Sequence, residues 1–116
     1  MTIHISKEQL LENFMDDEEL LLESVDLFLS RVEGRYKDLD EAVKAKNEQT
    51  VMETGHTIKG MVAIFETGEA FEAAKILEFM GRNKNLDGVD EALKDFRVKL
   101  DELCQYLTDL KKEFEG

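Results

Sequence analysis

Val89, Leu93, Phe96, Leu100, Leu103, Leu107, Leu110 and Phe114 recur at steps of four, three, four, three, four, three and four residues. A helix turns once every ~3.6 residues, so this spacing holds all of these side chains on one narrow stripe. A stripe that long is stable only when other helices cover it. The spacing therefore predicts a helix over about 87–115, and the rest of the chain must supply its cover.

Three more long segments do so. Asp16, Asp17, Glu18 and Glu19 put negative charge at a helix start, and Leu21, Val25, Phe28, Val32, Leu39 and Val43 then mark one face of a helix over about 18–45. Gly34 lies inside it and permits a bend without demanding a break. Asn47 is placed to cap a helix over about 48–66 whose inward stripe is Val51, Gly55, Ile58, Val62 and Phe65. Thr67-Gly68 marks a turn. A segment over about 68–80 offers Ala70, Ala73, Ala74, Leu77 and Met80, with Gly81 as its stop and Arg82 and Lys84 suited to a helix C-terminus. Ahead of them all, Ser6 and Gln9 form a capping box for a short helix over about 7–14, whose Leu10, Leu11 and Phe14 can lid one end of the core.

Four amphipathic helices joined by short polar turns bury their stripes together in an antiparallel four-helix bundle. The fold class is thus all-α, with a short additional N-terminal helix, and residues 1–116 read as a single domain. Composition agrees. The chain has no proline, and Glu, Leu, Lys, Ala and Asp dominate over the β-branched runs that a sheet needs. The stripes can be satisfied within one chain, so a monomer is expected.

The formal net charge is −12, from 27 acidic and 15 basic side chains. Such a field repels nucleic acid and anionic membrane surfaces and favours protein partners with a basic face. No apolar run approaches the ~20 residues of a membrane span, and MTIHISKEQ lacks the features of a signal peptide. A cytoplasmic location is expected. The single cysteine, Cys104, has no internal disulfide partner and reads as a core-edge residue.

The stretch GHTIKGMVAIFE, residues 55–66, is where packing alone does not explain the sequence. Glycine in a helix interior costs about 1 kcal/mol against alanine, yet Gly55 and Gly60 flank His56 and Lys59. At ~100° per residue, His56 points about 140° away from the inward stripe and should face solvent. Lys59 and Gly60 share its side of the helix, extended by Met52 and Ala63. Gly55, at the edge of the stripe, reads as a packing glycine. Gly60 faces outward, where it clears space for another surface to approach His56.

An exposed neutral imidazole is a competent nitrogen nucleophile at cellular pH, and Lys59 can stabilise negative charge arriving on it. A phosphoryl group meets those conditions, since its transfer depends chiefly on positioning and charge neutralisation. Rival chemistries lack their parts. Glu53-x-x-His56 is one outward copy of an element that di-iron bundles use twice, facing inward. His4 has no ligand-like spacing to His56, so no metal site is expected. Ser6, Ser24 and Ser30 show no paired base for a hydrolytic triad.

His56-Thr57-Ile58-Lys59-Gly60 closely resembles the His-x-(Leu/Ile)-Lys-Gly motif of the histidine-containing phosphotransfer (HPt) domain family. DDEELLLESVDLFL and LDEAVKAKN before the motif, and AAKILEFMGRNKNL after it, extend the resemblance over essentially the whole chain. It implies a phosphorelay role in which His56 carries the phosphoryl group, Lys59 supports it and Gly60 gives the docking protein room. The implied partner is the receiver domain of a response regulator, or a hybrid histidine kinase, with Mg²⁺ held by the receiver and no cofactor bound by this chain. Such a protein is a carrier rather than a stand-alone enzyme. The chain departs from the family pattern at Met61 and Glu66, which bears on how the motif helix ends and on partner choice.

For docking, Met52, Ala63 and Ile64 flank His56, while Leu20 and Leu27 lie off the inward stripe of the long first helix. They either join an apolar patch for a receiver or pack beneath the N-terminal lid, and Phe79 poses the same question. Lys75, Arg82 and Lys84 either face an acidic receiver pocket or solvate a helix end. Two other roles fit the same residues: a receiver-binding adaptor that transfers nothing, and a phosphoacceptor domain cut from a chemotaxis-type kinase. An initial Met and an end soon after the last heptad favour a free-standing protein.

Overall fold

The computed structural model describes residues 6–115, which form α1 (Lys7–Asn13), α2 (Glu18–Lys44), α3 (Glu48–Ala63), α4 (Glu69–Arg82) and α5 (Val89–Glu115). His4 lies outside the described residues. Side-chain caps set three of the helix starts: Ser6 Oγ accepts from Gln9 N–H at 3.0 Å, Asp17 Oδ1 from Leu20 N–H at 3.0 Å, and Asn47 Oδ1 from Thr50 N–H at 3.1 Å. Each satisfies a donor that the first turn leaves without a helical partner. Gly34 does not interrupt α2, which runs unbroken for 27 residues. At ~1.5 Å per residue α2 and α5 each span about 40 Å, close to the 44 Å long dimension of the molecule.

Helices α1, α2 and α4 end in the same way. Asp16 N–H bonds to Leu11 C=O, Asn47 N–H to Ala42 C=O and Asn85 N–H to Met80 C=O, with Met15, Lys46 and Lys84 at φ between 53° and 58° just before them. This is the Schellman arrangement, with a non-glycine residue in the left-handed position each time. The sequence expectation that Gly81 stops α4 is corrected here. The helix continues to Arg82, and Gly81 is buried where α4 crosses α3. A Cβ on it would stand 2.5 Å from Met52 N and 2.7 Å from Glu48 C=O. Helix α3 ends earlier than expected, because the N–H groups of Phe65 and Glu66 both turn onto Val62 C=O.

The long helices pack in chain order, α2 on α3, α3 on α4, α4 on α5 and α5 back on α2, as an antiparallel bundle. Leu21, Val25, Val51, Ile58, Val62, Leu77, Phe96, Leu100, Leu103 and Leu107 are all completely or almost completely buried between them. Each such side chain contributes about 1.5–3 kcal/mol. Exposed pairs such as Arg35–Asp38 contribute less than ~1 kcal/mol, so the apolar stripes hold the fold together. A denser polar clamp joins α2 to α5: Arg97 donates to Glu33 at 2.7 and 3.1 Å and to Asp101, and lies over the Tyr36 ring. Helix α1 lids one pole, where Phe14 stacks on Phe65 and Lys7 Nζ sits 4.5 Å from the centre of the Phe114 ring.

Glu66 is not a surface residue. It is 8% exposed, and its carboxylate accepts from Gly68 N–H at 2.6 Å and Ala70 N–H at 3.2 Å, capping the start of α4. Met61 is half-buried against the core. Of the two departures from the family pattern, Glu66 thus serves the α3–α4 turn and Met61 the packing of the core. Cys104 is also half-buried, and burial pushes its thiol up to about 11, which keeps it protonated and unreactive at neutral pH.

Candidate functional site

Gly55 brings α4 against α3 beside the motif. A Cβ there would lie 3.0 Å from Glu78 N and 3.1 Å from Glu78 Cα, so the absent side chain sets how closely the backbone of α4 passes. That approach delivers Glu78, which is buried with a side-chain exposure of 3%, to the flank of His56. The imidazole itself is 68% exposed. Its Nδ1 is 3.1 Å from Glu78 Oε2; Lys59 Nζ is 2.6 Å from Oε1 and Arg82 Nη2 is 2.5 Å from Oε2.

A buried carboxylate with three basic neighbours stays ionised. Burial pushes the Glu78 carboxyl up, but hydrogen bonds from Lys59, His56 and Arg82 and the charge of Lys59 outweigh it. They hold the carboxyl below the usual carboxylate value. An ionised carboxylate only accepts, so the ring nitrogen facing it must carry hydrogen. In the neutral ring Nδ1 is therefore protonated and Nε2 keeps its lone pair.

Lys59, the cation that the sequence places on the same side of the helix as His56, is not alone there. Two cations and one carboxylate surround the ring, and Lys59 is folded onto Glu78 with only 22% of its side chain exposed. Gly60 lies on the open side, where an added Cβ would meet nothing within 4 Å. Glu78 escaped the sequence reading, and Arg82 entered it only as a charge that either faces a receiver or solvates a helix end. A signal existed: Glu78 stands four residues after Ala74 and three before Gly81, on the inward stripe of α4, where an unpaired carboxylate would be costly.

The docking candidates divide among separate depressions. Leu27 and Ile64, exposed at 49% and 56%, line a groove of about 310 Å³ between α2 and α3, with Thr57 at one side and Arg31 and Arg35 on its rim. Ala63 belongs to a neighbouring depression near Glu66 and Gly68. Met52 is half-buried on the other side of His56. Leu20 and Leu27 are exposed rather than packed beneath α1, as are Ile76 and Phe79 on α4. Among the described residues, no three His, Cys, Asp or Glu side chains are grouped to hold a metal ion. No helix there is long and apolar enough to cross a membrane.

Comparison with known proteins agrees with this architecture. The crystal structure of histidine-containing phosphotransfer protein B (HptB) from Pseudomonas aeruginosa PAO1 superimposes with a TM-score of 0.85 at 18% identity, covering 95% of this chain and 96% of that one. A likeness at that identity speaks for the fold. Among curated protein sequences none matches the chain. The sequence model of the Hpt domain matches residues 23–113, from the first turns of α2 almost to the end of α5. The chain belongs to the Hpt domain family, the histidine phosphotransfer domains of phosphorelays.

Proposed function

We propose that His56 carries a phosphoryl group to or from the aspartate of a response-regulator receiver domain. The observation that carries this reading is the contact between Nδ1 of a solvent-facing imidazole and the ionised, buried Glu78 at 3.1 Å. It leaves Nε2 as the nucleophile and aims it away from the bundle. Attack by the Nε2 lone pair on an aspartyl phosphate forms the N–P bond as the P–O bond breaks. The released electron pair returns to the aspartate carboxylate, and the reverse step hands the group back. The Nδ1 proton stays on the Glu78 side throughout.

The chain is a carrier in this scheme. Mg²⁺ belongs to the receiver, where it offsets charge on the phosphoryl oxygens. Gly60 leaves the face beside His56 open to the approaching domain, and the Leu27–Ile64 groove offers it apolar contact, rimmed by arginines that suit an acidic edge. Phosphotransfer profiling of wild type and His56→Gln against a panel of phosphorylated receivers and hybrid kinases tests the reading. Label should appear on the wild type from at least one receiver and be absent from His56→Gln. Equal labelling of both refutes it. If His56→Gln binds a receiver and sustains signalling as the wild type does, the chain is an adaptor instead.

A further inference from the structure

The link between α1 and α2 is built from residues that do not favour a turn. Met15 and Asp16 stand in succession at φ 58°, in the left-handed region where an L side chain crowds the backbone. The ends of α2 and α4 each hold one such residue, Lys46 and Lys84. Asp tolerates this conformation through its short polar side chain, whereas Met has no such compensation. No glycine or proline occurs from Lys7 to Glu33, so α1, the link and the start of α2 can join one straight helix without meeting a breaker. The backbone bonds of the turn are local: Phe14 N–H to Leu10 C=O at 3.2 Å, Asp16 N–H to Leu11 C=O at 2.8 Å and Asp17 N–H to Phe14 C=O at 3.0 Å. Straightening replaces them with helical bonds and leaves no group unpaired.

The turn is held by the seat of α1. That helix has 7 residues, too few to persist alone in water. Leu10 is fully buried, Phe14 stacks on Phe65 at 6.0 Å between ring centres, and Lys7 Nζ lies 4.5 Å from the centre of the Phe114 ring. Phe65 in turn meets Phe28 edge-on at 5.3 Å, so a chain whose α1 swings out leaves an apolar pole uncovered. The side chains shaped to cover that pole are those of α1 itself. A second copy of the chain carries the same ones.

We propose that α1 exchanges between two copies of this chain. In the exchanged dimer residues 7–44 form one helix, and the Leu10 and Phe14 side chains of each copy cover Phe65 and Phe28 of the other. Every contact of the closed chain is remade, while the strain at Met15 and Asp16 is released in both chains. Two terms oppose the exchange. Joining two molecules costs freedom of motion, and Asp16, Asp17, Glu18 and Glu19 of the two chains come together where the straightened helices cross. The closed form therefore dominates in dilute solution, and the dimer grows with concentration and salt. The exchange involves no residue around His56, so it stands or falls independently of the carrier reading.

Sedimentation velocity from about 10 μM to about 1 mM, after warm incubation at high salt, reads the equilibrium by mass action. Wild type should form a dimer across this range. In a dimer of isotope-labelled and unlabelled chains, filtered NOE spectra should join the Phe14 ring of one chain to the Phe65 ring of the other. The double variant Met15→Gly, Asp16→Gly relieves the strain of the closed chain and weakens the straight helix. It should raise the dissociation constant about 100-fold or more. Asp16→Ala favours the straight helix and removes a repelling charge, and should lower the constant about 10-fold. Thermal melts check that each variant is folded. A wild type that stays monomeric throughout, a constant unmoved by the glycine pair, or a dimer whose Phe14–Phe65 contacts all lie within one chain overturns the exchange.

Discussion

Replacing Gly81 by alanine measures how tightly α3 and α4 are held together. The new Cβ would stand 2.5 Å from Met52 N, 2.7 Å from Glu48 C=O and 3.0 Å from Met52 Cα, all backbone atoms with no rotamer to escape into. Restoring ordinary contact at about 3.4 Å requires the helices to part by about 0.9 Å. Overpacking of this kind costs about 1–3 kcal/mol, and the rigid neighbours put this site at the upper end. Alanine returns about 0.5–1 kcal/mol through its greater helix propensity. The expected net loss is about 1–2 kcal/mol, a fall of about 5–10 °C in melting temperature for a domain of this size. Gly34→Ala supplies the reference, since its Cβ would meet nothing within 4 Å; it should gain the propensity term alone. Parting the helices also lengthens the 3.1 Å contact between His56 and Glu78. Circular-dichroism melts and ¹⁵N spectra of the His56 ring should therefore report lower stability together with loss of the Nδ1–H preference. If Gly81→Ala melts at or above the wild type, as Gly34→Ala is expected to, the close crossing does not exist as described.

Four further outcomes are expected. Gly60→Ala should raise thermal stability by about 0.5–1 kcal/mol while slowing transfer from a cognate receiver, and unchanged transfer would remove the clearance role from Gly60. Glu66→Ala should lose about 1–2 kcal/mol in urea denaturation, because the N–H groups of Gly68 and Ala70 lose their acceptor. Lys46→Gly and Lys84→Gly should each gain about 1 kcal/mol, since both residues sit at positive φ where L side chains are strained. The Glu78 carboxyl is held below the ordinary carboxylate value in the folded state. Its contribution is therefore present above about pH 4.5 and is lost as pH falls through the lowered value. Wild type and Glu78→Gln compared by urea denaturation from pH 7 to pH 3 should converge in acid, and a constant gap would contradict the ionised carboxylate.

The stripes were legible because each helix repeats its own evidence several times over. Leu93, Leu100 and Leu107 point the same way however the ends fray, and their burial follows from spacing alone. Single residues without such repetition were harder to read. Gly81 near Arg82 and Lys84 has the local signature of a helix stop, and only the crossing with Met52 shows that it is an interior residue. Glu66 has the composition of a surface residue, and its role as a cap depends on how the chain turns after Val62. His56 stood out because glycines and a lysine surround it in sequence. Glu78 is 22 residues away, and its relevance depends on the register between two helices, which no window along one helix contains. Arg82 was visible as a charge and not as a neighbour of the ring, for the same reason.

The contact between Lys7 and Phe114 at the lid pole brings the beginning and the end of the described chain together. The Asp26–Lys111 ion pair places the last turns of α5 beside the early turns of α2 at that pole. Phe65, two residues beyond α3, is there as well, stacked on Phe14, so His56 lies nine residues back along the chain, about 13 Å away at helical rise. A bundle wired in this way tolerates circular permutation. A short Gly/Ser linker between the two ends, with new termini opened in the exposed α4–α5 turn near Asp87, should preserve all four long helices and the His56 face. Either end can likewise be extended by another domain without opening the bundle, which suits the fold to use as a cassette.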